Sequence, residues 1–450
     1  MADGRHPYHA GVGPRAFRAR AARLPGTLDI GGMAEILIVG KGGFGDWFPL
    51  LAIGQTLRQR GHRVRVAGEA HQASACAQAG LDFHVVCDAA PSPPGEPGTA
   101  WANARAMLQA TLSPQGLAPE VRALRPLAQA ADLVLGNQLA YAGALVRRML
   151  GKPWVFCAAS PLAIPSRLDA PLWPYLQPAQ QLAARLGLPQ SGFVGLARLG
   201  TRVLMRPQEA LRRELGLPAH GHPRFEAMYS EQLNLLPVSP LLAPRQADWP
   251  AHTRVLGYTW FEADFLGDEA QAQALREFAQ AGTPPVVFAL GGSLRVRPGS
   301  FYERAVQACR QLGRRAILVA GRQLHAGLPS GKDVMLSGYL PYSKVFGLGA
   351  AVVHSGGIGA IGWGLRAGVP QLLVPAEWDQ FDNARRARRA GVAQVLARRD
   401  WQAPDLARAL GELLEQPALR VRCAMAADRL RAEDGATAAC EAIEQLLARR

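Results

Sequence analysis

The stretch that most constrains the fold is Ala351-Val352-Val353-His354-Ser355-Gly356-Gly357-Ile358-Gly359. A short apolar run rich in β-branched residues ends in glycines, and a helix is expected to start near Ile358. Strand, glycine turn and helix in that order belong to a parallel sheet, whose neighbouring strands are joined by helical crossovers. The glycines bring bare backbone close to whatever lies at the strand end. A helix N-terminus there presents unpaired N–H groups and a partial positive charge, so a phosphate is its natural ligand. A second run, Gln371-Leu372-Leu373-Val374-Pro375, leads to Asp379 and Gln380, whose polar groups suit sugar hydroxyls. Phosphate and polyol sites at adjacent strand ends point to a nucleotide-sugar.

The same alternation runs through the whole chain. Strands are expected at Ile36–Val39, Val64–Ala67, Leu81–Val86, Leu133–Leu135 and Trp154–Cys157. A second series follows at Val255–Leu256, Pro285–Leu290, Ala316–Val319, Val334–Met335, Ala351–Val353 and Gln371–Val374. A chain of 450 residues exceeds what one core usually supports. The expected fold class is therefore α/β, with two doubly wound, Rossmann-like domains facing a central cleft. The N-terminal domain is placed at 33–238 and the C-terminal domain at 239–432, with the crossing near Leu236–Pro250. Residues 1–32 are rich in Gly, Arg and Ala, lack an apolar signal core, and read as a disordered extension. Met33, just before the first strand, is a candidate start of translation.

Composition excludes more than it selects. The net charge of +15 could imply nucleic acid, but only Lys41, Lys152, Lys332 and Lys344 are lysines, and the arginines are spread along the chain. No zinc-finger spacing or aromatic-interleaved basic run accompanies them, so nucleic acid is not an expected partner. One cluster stands out: Arg385, Arg386, Arg388 and Arg389, with Arg398 and Arg399 behind. It reads as a solvated helix face or, alternatively, as an attraction to anionic lipid or to an acidic partner. No apolar run approaches ~18 residues, so a spanning helix is not expected. Six scattered cysteines without a C-x-x-C signal neither zinc nor a disulfide framework, and a cytoplasmic protein fits them.

From His354 to Gln380, the order G-G-x-G, A-G-V-P (Ala367–Pro370) and D-Q resembles the donor-binding motif of nucleotide-sugar glycosyltransferases of the two-lobed GT-B fold. Within that UDP-glycosyltransferase-like family, the wording of His354–Ala360 and of Asp379–Ala384 looks most like the bacterial rhamnosyltransferases of rhamnolipid synthesis. The likeness spans roughly 33–430, and implies that the final segment, 433–450, packs back on the N-terminal domain.

The resemblance implies roles for particular residues. His354 would bond the donor's α-phosphate, with the backbone of Gly356, Gly357, Ile358 and Gly359 around the diphosphate. Gly292 and Ser293 would contact the phosphates, though a plain strand-to-loop turn also explains them; Arg295 or Arg297 could add charge. Tyr339 would stack on the base and Leu340 would read its edge through backbone, against a plain core role for the tyrosine. Asp379 and Gln380 would hold the sugar hydroxyls. Gly43 and Gly45 would form a loop closing on the donor. Asp46 matches the aspartate that some bacterial members carry where others have a catalytic histidine. A carboxylate there can take the proton from an acceptor hydroxyl; otherwise it caps the helix. Ala360 and Gly362 lack side chains that many relatives use on phosphate and ribose, which argues against a plant-type UDP-glucose enzyme and moves the expected donor towards dTDP-L-rhamnose.

The expected function is an inverting hexosyltransferase with no metal and no cofactor beyond its nucleotide-sugar donor, since no D-x-D motif appears. It would move L-rhamnose or glucose to a hydroxyl of an apolar small-molecule or lipid acceptor. Acceptor contacts fall to loops around Pro91–Trp101 and Pro161–Tyr175, and peripheral contact with a membrane surface stays open. Two other readings compete. Gly40-Lys41-Gly42-Gly43-Phe44-Gly45 is a literal G-x-G-x-x-G after a strand, with Glu69 at the end of the next, as in a dinucleotide-binding oxidoreductase. The reduced phosphate motif would also permit a catalytically silent GT-B partner protein.

Overall fold

The computed structural model describes residues 32–87, 113–262, 269–291, 300–398 and 401–449. Gly292, Ser293, Arg295, Arg297, Arg399, the Pro91–Trp101 loop and nearly all of the N-terminal extension lie outside them. The apolar runs form two sheets in which every pairing is parallel. The first contains β1 (Glu35–Val39), β2 (Arg63–Glu69), β3 (Asp82–Cys87), β4 (Leu133–Asn137), β5 (Trp154–Cys157), β6 (Leu233–Leu236) and β7 (Thr253–Val255). Their spatial order is β3-β2-β1-β4-β5-β6-β7. The second contains β8 (Val286–Phe288), β9 (Ala316–Val319), β10 (Val334–Ser337), β11 (Ala351–His354), β12 (Gln371–Leu373) and β13 (Ala393–Val395), ordered β10-β9-β8-β11-β12-β13. The α/β class with two doubly wound sheets is therefore as expected.

Each sheet reverses its winding once, between β1 and β4 in the first and between β8 and β11 in the second. Crossovers leave such a point towards opposite faces, which opens a crevice at the C-terminal strand ends. The glycine turns after β1 and β11 both sit at these crevices.

The strand expected at Val255–Leu256 does not open the second domain. Thr253–Val255 pairs with β6, from Asn234↔Thr253 to Leu236↔Val255, and closes the first sheet. That sheet thus reaches past residue 239. Its neighbour β6 escapes sequence reading because Asn234 interrupts the apolar run. The buried amide is satisfied locally: its Oδ1 accepts from Ser230 N at 2.8 Å and its Nδ2 donates to Ser230 O at 2.8 Å.

Among the contacts that join the halves, three bear on the expectations above. One core cluster is continuous across them, with Leu236 and Tyr258 packed with Ile358, Ile361 and Leu365. The last helix, Gly435–Leu447, lies on the helix Phe44–Gln59. There Arg60 donates to both oxygens of Glu444 at 2.7 and 2.6 Å, and His62 Nε2 stands 3.2 Å from the same carboxylate.

The third contact takes Arg385 and Arg386 out of the solvated-face and lipid readings of the arginine cluster, while Arg388, Arg389 and Arg398 are exposed. On the helix Gln380–Arg389, Arg385, Arg386 and Arg389 all bond Asp169 of the first half, and Arg385 and Arg386 also hold the buried Asp382. Asp382 in turn accepts from Leu172 N at 3.0 Å. Burial alone would raise Asp169. The hydrogen bond from Arg389 and the charges of Arg386 and Arg385 outweigh it and hold the carboxyl well below the usual range. Of the four arginines, Arg388 alone has no ion-pair partner among the described residues.

Candidate functional site

Asp46 occupies the first turn of the helix Phe44–Gln59, at the β1/β4 crevice. Its Oδ2 accepts from Gly43 N at 3.1 Å and its Oδ1 from Gln138 Nε2 at 2.6 Å. Gln138 follows β4, and its own Oε1 accepts from Ala159 N at 3.0 Å. That bond fixes the amide so that its NH2 faces the carboxylate. Asn137 completes the frame by donating to the carbonyl oxygens of Lys41 at 2.9 Å and Asp46 at 3.3 Å. Burial, and then the negative charge of Asp379 from the other half, push the Asp46 carboxyl up to about 7. The bonds from Gln138 and Gly43 oppose that rise. Asp46 therefore braces its helix start while its carboxyl is raised to near neutrality.

Asp379 faces it from the loop before the helix Gln380–Arg389. Its Oδ2 accepts from Asn383 Nδ2 at 2.8 Å, and Ser160, at the end of the first half's β5, bonds the same side chain. Burial raises this carboxyl too, against those bonds. Trp378 just before it has φ +51°, the left-handed region where a non-glycine residue is strained. The neighbouring Gln380 holds that turn, its Oε1 accepting from Ala376 N at 3.0 Å and Glu377 N at 3.1 Å. Its carboxamide oxygen is thus engaged within the loop.

At the β8/β11 crevice the helix Ile358–Ala367 begins without a side-chain cap. A Cβ added at Gly357 or Gly359 would meet nothing within 4 Å, and the same holds for Gly43 and Gly45. The glycine backbone of both loops faces open space. First-turn N–H groups have no partner inside their own helix, so they are free to receive an anion. Gly356 differs: at φ +87° a Cβ would lie 3.2 Å from Gln380 O, so glycine is required there for the turn itself.

His354 does not sit as the resemblance implied. It is fully buried, its Nδ1 accepts from Gly356 N at 3.1 Å, and its Nε2 donates to Gln371 Oε1 at 2.9 Å. Burial pulls the imidazole down to about 4, so it is neutral. Both ring nitrogens are used inside the fold, and the ring stacks on Phe346 at 5.9 Å, which stacks on Tyr342 at 4.4 Å. His354 shapes the loop, which leaves contact with an anion there to backbone. Leu340 is buried in the second sheet's core, which leaves its backbone alone for recognition, and Tyr339 beside it is half-buried at the end of β10.

Comparison with known proteins gives the family and supports the fold. Residues 316–447 match the family described as "Erythromycin biosynthesis protein CIII-like, C-terminal domain". The O-mycaminosyltylonolide 6-deoxyallosyltransferase of Streptomyces fradiae is 30% identical over 428 residues, 91% of this chain and 97% of that protein. The chain belongs to the GT-B glycosyltransferase family. Glycosyltransferase GtfE of Amycolatopsis orientalis is 29% identical over 90% of this glycosyltransferase and 96% of its own length. Among solved structures, the kitacinnamycin glycotransferase superposes with a TM-score of 0.71 at 21% identity, covering 92% of this chain and 99% of that one. The spinosyn rhamnosyltransferase SpnG with thymidine diphosphate gives 0.65 at 18% identity, covering 91% and 100%. These last two speak for the fold.

Membership disposes of the oxidoreductase reading, and the structure shows why the glycine motif misleads. Glu69 accepts from Gly42 N at 3.4 Å, closing on the loop. The buried Trp47 fills the space beside the first crevice: a Cβ at Gly40 or Gly68 would lie 3.0 or 2.4 Å from its ring. Those glycines make room for an indole. Gly362 likewise makes room for Tyr258, whose ring stands 2.6 Å from where a Cβ would be, and whose hydroxyl donates to Ile358 O at 3.0 Å. Gln138, Ser160 and Tyr258 escape sequence reading as site residues because no local motif marks them. The strand order alone brings them to the crevices.

Proposed function

We propose that this glycosyltransferase moves a hexose, L-rhamnose from its dTDP donor in the first instance, to a hydroxyl of an apolar acceptor, with inversion and without a metal. The observation that carries the mechanism is Asp46, held by Gln138 and Gly43 opposite Asp379 and raised to about 7. Its carboxylate takes the acceptor proton as the acceptor oxygen bonds the anomeric carbon. The bond from that carbon to the diphosphate oxygen breaks on the opposite face, and its electron pair leaves with the diphosphate. The open N–H groups at Gly357–Gly359 stabilise the growing charge, with no reorganisation needed at the moment of reaction. Asp379 and Gln380 grip the sugar, with Asn383 and Ser160 aligning the carboxylate.

The choice of donor rests on the reduced motif at Ala360 and Gly362. It is supported by the likeness to the rhamnolipid enzymes and by the SpnG structure, a rhamnosyltransferase complexed with thymidine diphosphate. Relatives named for tylonolide and spinosyn aglycones favour a hydroxylated polyketide alongside a hydroxy fatty acid lipid. The test is nucleoside diphosphate release from dTDP-L-rhamnose, dTDP-glucose and UDP-glucose with each acceptor class. Acceptor-dependent release from the rhamnose donor is expected, and Asp46→Asn should lower it by about 100-fold or more while donor affinity holds. Unchanged turnover in that variant overturns the role of Asp46.

A further inference from the structure

Between the cleft rim and the return to β6 the chain runs through helices Gln177–Arg185 and Ser191–Leu204. Their inner faces are anchored. Val194 and Ala183 are buried, and buried Gln180 accepts from Trp173 N at 2.9 Å and donates to Pro171 O at 2.9 Å. Their outer faces are not what a solvent-facing helix carries. Leu182, Leu186, Leu188, Leu196, Leu199 and Val203 are 51–65% exposed. Leu196, Leu199 and Val203 follow the i, i+3, i+7 spacing of one helical stripe. Most of the large exposed apolar side chains of the described residues fall between Leu168 and Val203. Single exposed leucines are ordinary; a stripe is not.

Charge gives the occupant. No Asp or Glu stands between Asp169 and Glu209, while Arg185, Arg198, Arg202 and Arg206 do. Arg198 is paired with Glu226, but Arg185, Arg202 and Arg206 are exposed beside the leucines. Gly192, Gly195 and Gly200 add no bulk on the same helix, and a Cβ at any of them would meet open space. An apolar stripe flanked by arginines, on a segment that carries no acid of its own, fits the boundary of an anionic bilayer, with leucines among the acyl chains and guanidinium groups at the phosphates. Leading into the segment, Tyr175 is near enough to Glu377, in the loop before Trp378, for that charge to help raise its hydroxyl, which sets the start of the patch towards the cleft.

We infer that helices Gln177–Arg185 and Ser191–Leu204 form a docking surface for an anionic lipid membrane, which presents the cleft mouth to apolar acceptors at the bilayer. The purpose given to the surface rests on the apolar acceptor proposed above; the docking itself, which the vesicle test reads, does not. The test is flotation of the full chain with vesicles of phosphatidylcholine alone and of phosphatidylcholine with phosphatidylglycerol. Expected is salt-sensitive binding to the anionic vesicles, lost in the triple variant Leu186→Ser, Leu196→Ser, Leu199→Ser and weakened about tenfold or more by Arg185→Glu with Arg202→Glu. Unchanged thermal melting of the triple variant would show that it folds. Absence of vesicle binding by the wild type overturns the inference, as does binding that the triple variant retains. Self-association abolished by the serines, without vesicle binding, overturns it in favour of a second copy on this face.

Discussion

Arg386 Nη1 meets Asp169 at 2.5 Å while its Nε meets Asp382 at 2.7 Å, so one buried guanidinium joins the two halves of the molecule. Removing one partner of such a group leaves a charge stranded, which costs far more than the pair itself contributes. Asp169→Asn is expected to lower stability by about 3–5 kcal/mol in denaturant unfolding. The carboxyl is held below its usual range, so its contribution is full above the unfolded value and is lost only as pH falls through the lower folded value. Wild type should therefore keep this contact from about pH 5 to 8. A variant as stable as wild type would show that the contact does not hold the halves together.

That contact also shows where sequence reading stops. The strand runs, the glycine turns and both crevices are legible because each is local: apolar period, then glycine, then helix. Asp46 and Asp379 stand out by position in such turns. Arg385 and Arg386 mislead because their partner Asp169 lies far off in the chain, 217 residues from Arg386. Gly40 and Gly362 mislead differently: the first reads as part of a dinucleotide-binding turn and the second as a lost ribose contact, until Trp47 and Tyr258 are seen packed against them. His354 reads as a ligand contact from its motif, but its hydrogen bonds to Gly356 and Gln371 depend on how β11 and β12 pair.

The neutral, buried His354 should make the protein acid-sensitive. Its folded value is about 4, below the ordinary 6.5, so the native state holds fewer protons than the unfolded chain between those values. Stability is then full above about 6.5 and falls as pH drops to about 4, by about 3 kcal/mol in all. Melting temperature against pH should show this slope in wild type and a flatter one in His354→Gln, which will be less stable at pH 8. Parallel curves for the two would mean that some other group carries the acid response.

Gly362→Ala puts a methyl 2.6 Å from the Tyr258 ring, in a tightly packed seam between the halves. Overpacking of this kind costs about 1–3 kcal/mol. Tyr258→Leu in the same chain should recover part of it, because the two sites share one space. Additive losses in that double-mutant cycle would contradict the packing account.

Gln138 should act on transfer only through Asp46. Its NH2, aimed by Ala159 N, favours the charged carboxylate and so opposes the rise to about 7. Without it the folded value climbs further, and the acid limb of kcat/KM in Gln138→Ala should move to higher pH, with activity returning as pH rises past the new value. The same carboxyl gives a stability signature of opposite sign to that of Asp169. A raised value means the native state keeps a proton that the unfolded chain releases, so stability falls as pH rises from about 4 to 7. Asp46→Asn should therefore match wild type near pH 4 and exceed it above about 7, by up to about 2 kcal/mol because solvent still reaches the group. A merely structural glutamine would lower activity equally at every pH. A merely capping aspartate would make the Asp46→Asn variant weaker, not stronger, at high pH.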